Sequence, residues 1–243
     1  MSELLTYRCE AGIATLTLDD GKANVMGLPM QAAINNGLDR ALADQAVVVI
    51  TGRPGMFSGG FDLNVFKTDP KASVQMLEGG ARLALRLLKH PHPVMVACSG
   101  HAVAMGCFLL LGADYRLGVD KGTEAAGSNF RIHAIEVQIG MTLPYFALEL
   151  CRQRLTPAHY SQACTTAWPY SPAQAVQAGF LDEVAPPDQF AARVQERALY
   201  LSKLHQEAFT ATKQKLKQRF VDVMEAAIRT DVAAWTERFL KQG

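Results

Sequence analysis

Two apolar, largely β-branched runs in this chain each end in a glycine-bearing turn, and that repetition limits the possible folds more than any other feature. The first is Val47-Val48-Val49-Ile50-Thr51-Gly52, followed by Met56-Phe57-Ser58-Gly59-Gly60-Phe61-Asp62-Leu63. The second is Pro93-Val94-Met95-Val96-Ala97-Cys98-Ser99-Gly100, followed by Met105-Gly106-Cys107-Phe108. Runs of this kind read as inner strands, and the glycines after them let the backbone come close to a ligand. Each turn can aim a peptide N–H at one oxygen, so two of them can stabilise negative charge as it develops there.

The rest of the pattern alternates strand and helix. Residues 12–18 alternate with period two, as a half-buried strand does, and 19–24 read as a turn. Spaced apolar residues predict helices over 28–42 and 74–88, the second ended by the prolines of Lys89-His90-Pro91-His92-Pro93. A short buried helix is expected over 105–111 and a strand over 114–118. Such alternation favours an α/β arrangement with crossover connections. Beyond Leu143-Pro144 the pattern turns helical, over 145–154, 157–166, 172–178, 188–204 and a Lys-rich stretch at 207–229. Ala185-Pro186-Pro187 is the clearest punctuation, so two regions are expected, 1–185 and 186–243. No internal repeat or low-complexity tract is visible.

Composition removes several function classes. With 243 residues, 49% of them hydrophobic, the chain can bury one large core with a small appendage. Its 24 basic and 23 acidic side chains nearly cancel, so no global field argues for nucleic acid or a membrane surface. Cys9, Cys98, Cys107, Cys151 and Cys164 have no metal-ligand spacing and fit a reducing compartment, and the histidines supply no zinc set. The first residues carry neither a secretory apolar core nor an Arg-rich transit pattern, and no apolar run is long enough to cross a bilayer. The expectation is a soluble, cytoplasmic protein.

The ordered set of motifs resembles the crotonase superfamily, the enoyl-CoA hydratase/isomerase family. The matching stretches are Phe57-Ser58-Gly59-Gly60-Phe61-Asp62-Leu63, Ser99-Gly100-His101-Ala102 through Gly106-Cys107, Ala113-Asp114-Tyr115-Arg116, Glu136 through Gly140, and Ala178-Gly179-Phe180-Leu181-Asp182-Glu183-Val184. The resemblance implies an α/β, crotonase-like (ClpP/crotonase) spiral of repeated ββα units with a C-terminal helical trimerisation region. It implies an acyl-CoA thioester as substrate, coenzyme A being part of that substrate and no separate cofactor or metal being needed. It also implies a homotrimer or a hexamer built as a dimer of trimers. By position, the N–H groups of Gly59 and Met105 would bind the thioester oxygen. Ser58, Gly60, Phe61, Asp62, Leu63, Gly106 and Phe108 would surround the bound group. Lys22, Asn24 and Lys213 match positions near the nucleotide, where phosphates need cations.

Hydratases of this family carry two glutamates acting on one water. The first would fall at Phe108, which can neither hold nor transfer a proton. The second falls at Glu136, between Ile135, Val137 and Ile139, where an acid shielded from water would have the raised pKa a base needs. One base with one pair of N–H donors suffices to take a proton from C2 of a 3-enoyl thioester and return it at C4. That combination resembles the Δ3,Δ2-enoyl-CoA isomerase branch, in fatty-acid β-oxidation, as does the apolar stretch Gly106-Cys107-Phe108-Leu109. Phe130, six residues before Glu136, also departs from the common hydratase spacing, and Ile135 stands where proline or asparagine is usual. Glu124 is the nearest competing base, and His101 could line the pocket. Asp62 is expected to cap a helix near Leu63, and Asp114 to hydrogen-bond at a strand start. The rival readings are a hydratase using Glu136 alone, another enolate chemistry of the family, and a non-catalytic acyl-CoA binder.

Overall fold

In the computed structural model, which describes residues 4–120 and 130–240, both apolar runs are inner strands of one sheet. The chain opens with a hairpin, β1 (Leu5–Glu10) and β2 (Ile13–Leu18), followed by α1 (Leu28–Ala43). It continues through β3 (Val47–Gly52), β4 (Gly55–Ser58), α2 (Val65–Thr68) and α3 (Pro70–Lys89). Next come β5 (Val94–Cys98), β6 (Gly100–Val103), α4 (Met105–Gly112), β7 (Tyr115–Val119) and β8 (Ile132–His133). A single 3₁₀ turn, Glu136–Ile139, precedes α5 (Tyr145–Arg154), α6 (Pro157–Thr166), α7 (Pro172–Ala178), β9 (Glu183–Ala185), α8 (Pro187–Ser202) and α9 (Gln206–Leu240).

The strands form a six-stranded sheet in the order β1-β2-β3-β5-β7-β9 and a three-stranded sheet β4-β6-β8. Apart from the β1–β2 hairpin every pairing is parallel. Three times the chain adds a strand to the large sheet, then one to the small sheet, then a helix. This is the spiral of ββα units that the family resemblance implied. The units share backbone pairing and not residues, which is why no repeat is visible in the sequence. The large core lies between the sheets and α1, α3, α4 and α5, and a smaller cluster under α8 contains Ile13, Val49, Met95 and Leu117.

Local chemistry explains where the elements differ from the pattern. Helix α3 starts before the predicted residue 74, at Pro70, because the Asp69 carboxylate accepts the Ala72 N–H at 2.8 Å and proline suits the first helical turn. Helix α9 runs past 229 to Leu240, a length of 35 residues. Its Asp231 is 3% exposed and accepts from the Tyr145 and Phe146 N–H groups at 2.8 and 2.9 Å, capping α5 from a distant helix. Strands β4, β6 and β8, of two to four residues, are too short to carry a periodic signal. Residues beyond 185 are not packed apart from the rest: Phe220, Met224 and Ile228 of α9 belong to the main core.

Asp114, expected to hydrogen-bond at a strand start, ties three elements together. Its carboxylate accepts from the Val94 N–H at 3.0 Å, from Lys213 Nζ at 2.5 Å and from Lys217 Nζ at 2.8 Å. Burial by itself would raise this carboxyl, but the two ammonium groups override it and hold it below the usual range. Burial pushes Lys217 down to about 8, since two cations share one carboxylate. Asp114→Asn therefore leaves two buried ammonium groups without a counter-charge. It is expected to cost roughly 3–5 kcal/mol in urea unfolding at pH 7. The loss should shrink as the pH falls below the ordinary aspartate value near 3.9, where the wild-type carboxylate also becomes protonated.

Candidate active site

The two glycine turns meet. Gly60 has φ +93°, and a Cβ placed on it would lie 2.6 Å from the Ala104 Cβ, 2.9 Å from the Val103 carbonyl and 3.4 Å from the Met105 nitrogen. A side chain at Gly60 would force the turns apart. Gly106 serves the same approach from the other side, since a Cβ there would stand 2.5 Å from the Ser58 carbonyl oxygen. Ala104 adopts φ 49° and ψ −124°, a sparsely populated conformation for a residue with a Cβ. It ends β6 abruptly and makes Met105 the first residue of α4, whose N-terminus carries free N–H groups and the positive end of the helix dipole.

The donors differ from expectation at one position. The Gly59 N–H, expected to bind the thioester oxygen, donates instead to the Ala23 carbonyl at 2.7 Å and is committed to the fold. The Gly60 N–H donates to Ser58 Oγ at 3.2 Å. The next amide, that of Phe61, has no acceptor among the described residues, and neither does that of Met105. Phe61 lines the cavity and Met105 directly follows the lining residue Ala104, so these two amides are the candidate pair of donors, one from each turn. The sequence signal was present, because Gly60 with positive φ turns the following amide outward. It was misplaced by two residues.

Several residues expected at the ligand are structural. Asn24 is fully buried, donating to the carbonyls of Leu18 and Phe57 at 3.0 and 3.2 Å and accepting from the Asp20 N–H at 2.9 Å. It pins the 19–24 turn to the end of β4, with no hydrogen-bonding capacity aimed at the cavity. Ser58 is buried too, and its hydroxyl donates to the Asn24 carbonyl at 2.8 Å. Lys22 has an exposed side chain outside the cavity lining, and its carbonyl accepts from Arg53. Asp62 accepts from the Asn64 N–H at 2.9 Å and so caps the turn entering α2. Lys213 is the largest departure: it is 6% exposed and committed to Asp114, on α9. It precedes the cavity-lining Trp235 by about 33 Å of helix at 1.5 Å per residue. The basic side chain that does line the cavity is Arg238, with its guanidinium carbon 5.6 Å from the Phe239 ring centre.

Beside the two turns lies a cavity of about 180 Å³. Gly59, Phe61, Leu63, Ala104, Phe108 and Glu136 all border it. Phe108 is 1% exposed and meets the Phe146 ring edge-on at 6.0 Å, and Phe146 meets Trp235 of α9 in the same way at 6.3 Å. Glu136 is the one carboxylate bordering the cavity among the described residues. It is 6% exposed, and its Oε2 is buried with no hydrogen-bond partner. Burial raises its pKa to about 7, offset slightly by its own backbone N–H. The shielding does not come from all the expected neighbours: Val137 and Ile139 are each 45% exposed. The 3₁₀ turn, closed by Gly140 at φ 74°, points Glu136 into the cavity; Ile139 also lines it while partly exposed, and Val137 lies outside the lining.

Glu124 lies outside the described residues. His101 does not line the cavity; its Nδ1 accepts the Arg131 N–H at 3.2 Å beside Phe130. Among the described residues no His, Cys, Asp and Glu group could hold a metal ion, and no helix is long and apolar enough to cross a membrane.

A family model described as enoyl-CoA hydratase/isomerase matches residues 8–242. An enoyl-CoA hydratase/isomerase family protein from Pseudomonas syringae is 40% identical, with a TM-score of 0.90 over 96% of this chain and 98% of that one. A Mycobacterium tuberculosis protein, described as an enoyl-CoA isomerase in its apo structure and as a probable enoyl-CoA hydratase in a second structure, is also 40% identical in the former, with a TM-score of 0.88 over 96% and 99% of the two chains. The mitochondrial enoyl-CoA delta isomerase 1 of mouse is 27% identical over 183 residues, which are 74% of this chain and 61% of that protein. The chain thus spans about three fifths of the length of that curated relative.

Glu136→Gln separates burial from chemistry. A glutamate with a folded pKa of about 7 against an ordinary value of 4.5 disfavours the folded state once it ionises. That cost is absent below about pH 4, grows as the pH rises, and levels off above 7 at about 3 kcal/mol. The glutamine variant should therefore unfold at higher urea than wild type at pH 8 and at equal urea at pH 4. Equal stability at both pH values would mean that the carboxylate is solvated.

Proposed function

The chain belongs to the enoyl-CoA hydratase/isomerase family, and within it we propose an enoyl-CoA isomerase that moves a double bond of an acyl-CoA thioester from the 3 to the 2 position. The observation that carries this reading is the single buried carboxylate, Glu136, sharing one cavity with Phe108, with Phe61 and its unoccupied amide, and with the Ala104 turn that leads into the Met105 amide.

The thioester oxygen accepts from the Phe61 and Met105 N–H groups. The Glu136 carboxylate takes the proton from C2, the C–H electron pair passes to the oxygen, and a dienolate extends from C1 to C4. The amides, held by Gly60 and Ala104, stabilise that charge without reorganising, an effect of about 3 kcal/mol per donor. The protonated Glu136 then gives its proton to C4, the double bond forms between C2 and C3, and the carboxylate is restored. No second acid is required, and coenzyme A leaves as part of the product thioester.

Hydration is the rival reading, and Phe108 argues against it. Adding water across a 2-enoyl thioester needs a positioned water, yet the place of the second carboxylate holds an aromatic ring packed on Phe146. Incubation with a 2-enoyl-CoA should give slow or no 3-hydroxyacyl product. Substantial hydration would favour the rival. A non-catalytic binder, the remaining class, would bind CoA thioesters in calorimetry and turn none over. The homotrimer or hexamer expected of such an enzyme is part of the same proposal, for sedimentation to test.

Two kinetic outcomes test the mechanism. Glu136→Gln should lower kcat for 3-enoyl-CoA by about 10²–10⁴-fold with little change in KM, the scale of a lost general base. Retained activity in that variant would remove Glu136 from the mechanism. In the wild type, kcat/KM should rise with pH through about 7 and then level off, because the free enzyme needs the carboxylate form of a group with that pKa.

A further inference from the structure

The wall of the cavity is built unequally. On the side of α4 and α5, Phe108 and Phe146 are 1% and 0% exposed and fixed in the core. On the opposite side the lining comes from Phe66 on α2 and Phe239 on the last turn of α9, whose rings stack at 5.9 Å with planes 17° apart. Both supports are lightly anchored. Helix α2 has four residues, none of them buried, held by the Ser73 hydroxyl donating to the Val65 carbonyl at 3.1 Å and by an edge contact of Phe66 with Phe61 at 6.5 Å. The last fully buried residue of α9 is Asp231; beyond it Trp235 is half-buried against Phe146 of the core, and Phe239, in the final turn, lines the cavity. Segments with few buried side chains open locally at the lowest cost.

We propose that Phe66 and Phe239 form a gate that sets acyl-chain length. Stacked, the pair limits the cavity to short unbranched acyl groups, and a longer chain enters only by parting the rings. The inference rests on the acyl-thioester reading given above, and it adds which residues discriminate between substrates. It follows from position: Phe61, Leu63 and Phe66 run directly on from the Phe61 amide, so the acyl group held at that amide extends toward Phe66. The lining residues near the pair are apolar apart from Arg238, whose guanidinium carbon lies over the Phe239 ring at 5.6 Å from its centre.

The test compares kcat/KM for 3-hexenoyl-CoA and 3-dodecenoyl-CoA in wild type, Phe66→Ala, Phe239→Ala, the double alanine variant and Phe239→Leu. Wild type should favour the shorter substrate. Either alanine variant should raise the long-to-short ratio by about tenfold or more, within the range a hydrophobic pocket can discriminate. The double alanine variant should add little, because removing either ring already opens the pair. The leucine variant keeps apolar volume without a stacking ring and should fall between. An unchanged ratio in all variants, or a wild-type preference for the longer chain, would overturn the gate. Calorimetry with the unreactive hexanoyl- and dodecanoyl-CoA keeps the two proposals distinct. A long-chain affinity gained on opening the ring pair, in a protein that isomerises nothing, would sustain the gate and end the isomerase reading. Isomerisation with an unaltered length profile would do the reverse.

Discussion

The contact between Gly60 and the Ala104–Met105 turn is the constraint on which the rest of the site depends. Two loops from successive ββα units approach until no Cβ fits between them, and each then presents one amide with no acceptor in the protein. The preceding groups are already committed: Gly59 to Ala23, Gly60 to Ser58, and the Ser58 hydroxyl to the Asn24 carbonyl. What marks the Phe61 and Met105 amides is their place on the two turns that meet beside the cavity. Buried amides are nearly always satisfied, so a pair left open beside a cavity has its partner in a ligand.

Helix α9 does two jobs along its length. Its first half is locked by Lys213 and Lys217 on Asp114, a buried three-charge cluster tied to the starts of β5 and β7. Asp231 then caps α5 and so orients Phe146, which packs on Phe108. Beyond that cap Trp235 still packs on Phe146 of the core, and the rings of Trp235 and Phe239 form cavity wall. Lys213, which sequence position assigned to a nucleotide, therefore holds the scaffold, and the helix tail reaches the site.

Glu136 shows how a titration is set by backbone geometry. In an extended segment its neighbours at 135, 137 and 139 would share one face opposite the glutamate. The 3₁₀ turn instead exposes Val137 and Ile139 and turns the carboxylate into the cavity. The raised pKa was foreseen, but its cause is enclosure by elements distant in sequence. The same enclosure makes the base costly to the fold, an expense functional sites commonly carry.

The sequence by itself determined the alternation of buried strands and helices, the two glycine turns, the order of family motifs, and the contrast between Glu136 and Phe108. These are local properties, written in periodicity, glycine placement and the chemistry of single side chains. Only the tertiary structure decided which amide is free. That choice between Gly59 and Phe61 depends on whether the Ala23 carbonyl, more than thirty positions earlier in the chain, comes within hydrogen-bonding distance. It also decided that Lys213 turns inward to Asp114 and that Trp235 and Phe239 border the cavity. Those outcomes depend on how α9 packs along α3 and α5, and long-range packing leaves no periodic trace in the residues that take part.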